Sequence, residues 1–144
     1  AAAVIIAASS LTIPRCYALP KQDFTGARDY VERSRTPGEE IVVVGLASHA
    51  YGRYYARHWT VINTPEELDT VRARAQNVVL VFTLPIELKA FHPGLWASVE
   101  KHFEQVAVFP GTLGGGEVFV CRNRFRSGSP EPMRIENTKV RVLQ

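Results

Sequence analysis

Apolar residues recur along this chain with two periods, and the alternation between them sets out the elements. Phe24, Ala27 and Val31 fall at helical spacing behind Asp23, a good capping residue. A helix is therefore predicted over 24–34, ended by Thr36-Pro37-Gly38. Residues 41–45 form a continuous, mostly β-branched run, as in a strand buried on both faces. A short helix over 48–56 and a second strand over 59–63 come next.

Thr64-Pro65-Glu66-Glu67 is the sharpest local signal. The Thr64 hydroxyl can accept from the Glu67 amide, the Glu67 carboxylate can reach back to the Thr64 amide, and Pro65 suits the first helical position. That helix runs to about residue 75, with Leu68, Val71 and Ala75 inward. A third strand covers 78–83, and helical residues run from Pro85 with an interruption near Pro93-Gly94. Leu95, Val99, His102 and Phe103 are expected on one face of the last helix.

Strands over 105–109 and 117–122 complete the pattern. The glycine-rich connection between them is too short for a crossover helix, so these two form an antiparallel hairpin. The first three strands, joined by helices, are parallel. The expected fold class is α/β: a two- or three-layer Rossmann-like sandwich on a mostly parallel sheet of about five strands that ends in an antiparallel hairpin.

Length and composition fit one domain: 144 residues, 46% of them hydrophobic, argue against disorder. The net charge of +3 comes without a dense basic stripe interleaved with aromatics, so nucleic acid is not expected as a partner. Residues 15–122 form the domain. Residues 123–144 are a dispersed basic tail, linker-like over 127–132, with Val140 and Val142 offering a weak last strand. Residues 1–14 carry no charge and are too short to span a bilayer, which takes about 20 apolar residues. They read as the stub of a transmembrane helix, with Tyr17 as an interfacial aromatic, or as a disordered segment.

Candidate chemistry is sparse. The loop after the first strand, Gly45-Leu46-Ala47-Ser48-His49, lies where parallel α/β sheets collect ligands, yet the glycine spacing of a dinucleotide site and the Walker lysine are both missing. No cofactor is expected. Gly114-Gly115-Gly116 precedes a strand and reads as a hairpin turn. Glu66, Glu67 and Asp69 stand at a helix start, where the macrodipole favours acids. His49 and His92 come after strands and are better functional candidates than His102, which is expected in the core. Cys16 and Cys121 make no metal pattern, and a disulfide between them needs a spatial approach that spacing does not reveal. Tyr51, Tyr54, Tyr55 and Trp59 cluster, with Tyr51 and Tyr55 on one helical face and Tyr54 turned away. The candidate contact surface is Ser48, His49, Tyr51 and Arg53; no catalytic or metal-ligating residue is assigned.

Tyr17-Ala18-Leu19-Pro20-Lys21-Gln22-Asp23, then Gly26-Ala27-Arg28-Asp29-Tyr30-Val31, the strand over 41–44 and Tyr54-Tyr55 together resemble a segment of known bacterial enzymes. This segment is the region after the last membrane helix in glycosyltransferases of the protein mannosyltransferase and aminoarabinose transferase type. The resemblance implies an inner-membrane parent that moves a sugar from a polyprenyl-phosphate donor, with this domain on the periplasmic side. Its partners are then the membrane-embedded part of the same chain and a lipid-linked sugar or its acceptor. The catalytic acids of that family lie in early loops between membrane helices, and no position here matches them. The domain is thus expected to be an accessory module without a complete active site. The alternative is a membrane-tethered binding module for a protein or cell-wall partner.

Overall fold

A computed structural model of the chain describes residues 21–112 and 114–124. The readings of residues 1–14 as a membrane stub, of Cys16 as a disulfide partner and of 125–144 as a tail with a last strand lie outside these.

The elements run α1 (Phe24–Ser34), β1 (Glu39–Val44), α2 (Ala47–Ala50) continued by a π-helical turn (Tyr51–Tyr55), β2 (Thr60–Ile62), α3 (Pro65–Arg74), β3 (Asn77–Thr83), α4 (Pro85–Phe91), α5 (Pro93–His102), β4 (Phe103–Phe109) and β5 (Val118–Asn123). The five strands form one sheet in the order β2-β1-β3-β5-β4. β1 pairs in parallel with both β2 and β3, whereas β5 runs antiparallel to β3 and to β4. The α/β, Rossmann-like architecture is therefore as the sequence pattern predicts.

Helices cover both faces, which settles the sandwich at three layers. On one face Val42, Val44, Val78, Leu80 and Phe82 pack against Leu68 and Val71 of α3, Leu88 of α4, and Leu95 and Val99 of α5. On the other, Ile41, Val43, Val79, Val81, Val118 and Val120 meet Ala27 and Val31 of α1, Ala47 and Tyr51. Strands β1 and β3 carry unbroken apolar runs because both of their faces are buried, and only apolar side chains lose nothing there.

Capping explains the helix starts. Asp23 accepts from the Gly26 amide, and the Thr64–Glu67 capping box is complete, with the Thr64 hydroxyl accepting from the Glu67 amide at 3.2 Å. Three boundaries differ from the pattern. The segment after α2 winds as a π-turn and not as a continued α-helix, a form that apolar spacing does not signal. β4 begins at Phe103, so this side chain enters the core from a strand, while His102 closes α5 and is half-buried. β5 extends through Asn123, whose side chain accepts from the Val78 amide and donates to the Gln76 carbonyl. Arg122 thus lies in the strand as predicted, and Asn123 belongs to the sheet and not to the tail. Cys121 is a buried thiol, free among the described residues, whose pKa is pushed up to about 12 by burial.

Candidate functional site

The sheet order creates a crevice. The chain leaves β1 toward the face that holds α1 and α2, and leaves β3 toward the face that holds α4 and α5. Where successive connections part in this way, the carboxyl ends of the strands stand open. A cleft of about 520 Å³ lies there, lined by Gly45 and Leu46 after β1, Asn63 after β2, Glu87, Leu88, Phe91 and His92 of the α4 region, and Leu95 of α5.

Backbone geometry shapes its walls. Gly45 has φ +62°, and a Cβ built on it would sit 3.0 Å from Leu88 Cδ1. Only glycine takes that conformation at little cost while letting α4 approach β1. Gly45→Ala is expected to destabilise the fold by about 1–2 kcal/mol, read from a urea melt. Leu84, between β3 and α4, is left-handed at φ +51° with a side chain present, a placement that costs about 1–3 kcal/mol and must be offset by surrounding packing.

The rim is apolar and exposed. Leu46 and Phe91 have 53% and 76% of their surface open to solvent, and Ile86, outside the lining at the start of α4, has 81%. The chain also enters the domain at this end of the sheet. Gln22 Nε2 donates to Thr83 Oγ1 at 2.8 Å, and the buried Thr83 hydroxyl donates to the Glu117 carbonyl at 2.9 Å. Gly111, in the connection after β4, lies so close to Lys21 that a Cβ there would fall 2.1 Å from the Lys21 carbonyl oxygen.

The candidate residues divide on this geometry. Ser48, His49 and Arg53 come after Gly45-Leu46 but lie on the α2 side, outside the cleft lining. His49 and Arg53 are exposed, and the Arg53 guanidinium lies 5.7 Å from the centre of the Tyr54 ring. The Ser48 hydroxyl points back to the Val43 carbonyl at a long 3.5 Å. Tyr51 is not a surface contact: it is fully buried, stacks on Trp59 at 4.7 Å, meets Phe24 edge-on at 5.4 Å, and donates its hydroxyl to the Phe24 carbonyl at 3.0 Å. Tyr55 faces the same Phe24 ring and Tyr54 projects into solvent, as their spacing predicts. His92, the other histidine singled out, does line the cleft. Sequence reasoning missed Phe91, Asn63 and Glu87, whose only signal is that each falls within one helix or loop of a strand's carboxyl end.

A second cleft, of about 290 Å³, opens at the amino ends of β1 and β2 among Arg35, Gly38, Glu39, Glu40, His58 and Trp59. Its charges serve one another. Burial works to raise the Glu32 carboxyl, yet hydrogen bonds from Trp59 Nε1 and His58 Nε2 to the same oxygen outweigh it and leave it below the usual range. Glu40 is held below the usual carboxylate range, first by hydrogen bonds from Arg74 and then by its charge, with a further bond from Thr60. Because folding lowers the Glu40 pKa, its contribution is complete above the unfolded value of about 4.3 and is lost as pH falls through the lower, folded value. Glu40→Gln is expected to flatten the acid limb of a plot of thermal midpoint against pH and to leave the neutral region nearly level.

Among the described residues no cluster of three or more His, Cys, Asp or Glu is placed to hold a metal ion, and no helix is long and apolar enough to cross a membrane. Comparison with protein-family models, with curated proteins and with solved structures returns no match, so the site is read from its own geometry.

Proposed function

We propose that this domain is an accessory extracytoplasmic module of a membrane glycosyltransferase that moves a sugar from a polyprenyl-phosphate donor. It works through the carboxyl end of its sheet, on the periplasmic side of an inner membrane, and leaves the transfer chemistry to the membrane-embedded part. The observation that carries the reading is the Gln22–Thr83 hydrogen bond. It belongs to the Pro20-Lys21-Gln22-Asp23 element on which the resemblance rests, and it fixes Gln22 at the carboxyl end of β3, the end of the sheet where the cleft opens. Lys21 and Gln22 therefore stand at the end of the sheet where α/β folds bind ligands.

The test is sugar transfer by the intact polypeptide carrying Ser48→Ala, His49→Ala and Arg53→Ala together. Tyr51 is left alone because it is buried and its loss would destabilise the core. Reduced transfer with an unchanged melting temperature supports the reading; full transfer overturns it. A second reading, a tethered binding module for a protein or cell-wall partner, is favoured by one feature. Tyr54, 68% exposed and flanked by Arg53, is a flat aromatic surface of the kind that anchors partners. Normal transfer combined with loss of a binding partner in Tyr54→Ala would select it.

A further inference from the structure

The carboxyl end of the sheet gathers three features. Leu46 and Phe91 are exposed apolar side chains that line its cleft, and Ile86, the second residue of α4, is exposed just after β3 ends. The chain arrives at this end, clipped by Gln22 to Thr83 and by the close approach of Gly111 to Lys21. The sequence leading to Lys21 has no charged residue before Arg15 and opens Ala-Ala-Ala-Val-Ile-Ile-Ala-Ala. Exposed apolar side chains scattered singly need no explanation, but three at one end of the sheet, the end where Gln22 is clipped to Thr83, do.

We infer that this end of the domain is a membrane-docking surface, with Leu46, Ile86 and Phe91 set into the boundary between headgroups and acyl chains of a lipid bilayer. Protruding apolar side chains beside a tether are the geometry that interfacial binding uses, because burying them removes apolar area from water and the tether has already met most of the entropic cost of association. Charge points away from an anionic-lipid mechanism. Asp23 and the acidic first turns of α3 and α4 (Glu66, Glu67 and Glu87) stand at this end, against Lys21 and Lys89. The attraction is therefore apolar, and zwitterionic phosphatidylcholine is the probe of choice. The inference shares with the proposed function only its membrane attachment; it requires no sugar chemistry.

The experiment uses the full chain with phosphatidylcholine vesicles whose acyl chains are brominated, since bromine quenches nearby tryptophan. Phe91→Trp places a reporter on the rim, and Arg57→Trp places one in the exposed turn before β2, at the opposite end. The proposal expects quenching at position 91 severalfold greater than at position 57. It also expects Leu46→Ser, Ile86→Ser and Phe91→Ser together to lower vesicle partition on the order of tenfold without shifting the melting temperature. Equal quenching at the two positions overturns it, as does no quenching at 91 in chains that sediment with the vesicles, an outcome that would assign the rim to a protein contact. A chain that does not sediment overturns it as well. None of these readouts involves donor or acceptor sugar, so failure here and failure of the transferase reading are distinguishable.

Discussion

Arg122→Met is expected to lower the unfolding free energy by about 3 kcal/mol, measured by urea denaturation. The reason is the carboxylate it abandons. Glu39 begins β1 with its side chain 2% exposed, and Arg122 Nε lies 3.5 Å from Glu39 Oε1. That nitrogen makes no hydrogen bond, so the attraction is largely coulombic, while Arg122 Nη2 donates to the Ser34 carbonyl at 2.9 Å. Glu39 retains one donor, the Thr36 amide at 3.1 Å, which does not neutralise it. Removing the guanidinium leaves a buried charge without a counterion, the costly case among ion-pair deletions. Glu39→Leu combined with Arg122→Met is expected to recover most of the loss, because two apolar side chains need no partner. A double variant no more stable than Arg122→Met would show that the Ser34 contact, and not the charge, carries the effect.

The second large effect is expected from Tyr51→Ala, at about 4 kcal/mol. The ring fills the space between Phe24 at the start of α1 and Trp59 before β2, and its loss opens a cavity that two other aromatics border. Tyr51→Phe keeps the packing and removes only the hydroxyl that donates to the Phe24 carbonyl, for which about 1 kcal/mol is expected. Thermal or urea melts of the two variants separate packing from hydrogen bonding. A loss for Tyr51→Phe as large as for Tyr51→Ala would contradict the account. Burial also raises the Tyr51 phenol above its ordinary value, so the hydroxyl remains a donor throughout the neutral range.

How much the sequence discloses depends on how local each cause is. β1 and β3 are legible because burial on both faces demands an unbroken apolar run, and the Thr64–Glu67 box is legible because all its partners lie within four residues. The parallel and antiparallel pairings are legible from connection lengths. The Glu39–Arg122 pair is illegible, since β1 and β5 do not pair directly and meet across β3 only through its register with each. The π-turn is hidden for a similar reason. Tyr51 is placed by Phe24 and Trp59, which are distant in sequence or outside its helical period, so its aromatic character suggests a surface where packing makes a core. For the site, the loop after β1 is visible as a strand end, but its opposite wall is not. Phe91 and His92 reach the cleft because Leu88 packs against Gly45, a contact between elements that no local pattern encodes.

The run of β5 through Asn123 fixes where the chain leaves the domain. The antiparallel register carries it from Val118, opposite Thr83, to Arg122, opposite Val79, and the Arg124 amide then donates to the His102 carbonyl. The polypeptide thus arrives at one pole of the sheet and departs from the other, making the domain a strut about 20 Å long, the length of a strand of this size. If the arriving pole rests on a bilayer, Arg124 at the other pole stands about two Debye lengths away at physiological salt, where the surface potential of the lipid has largely decayed.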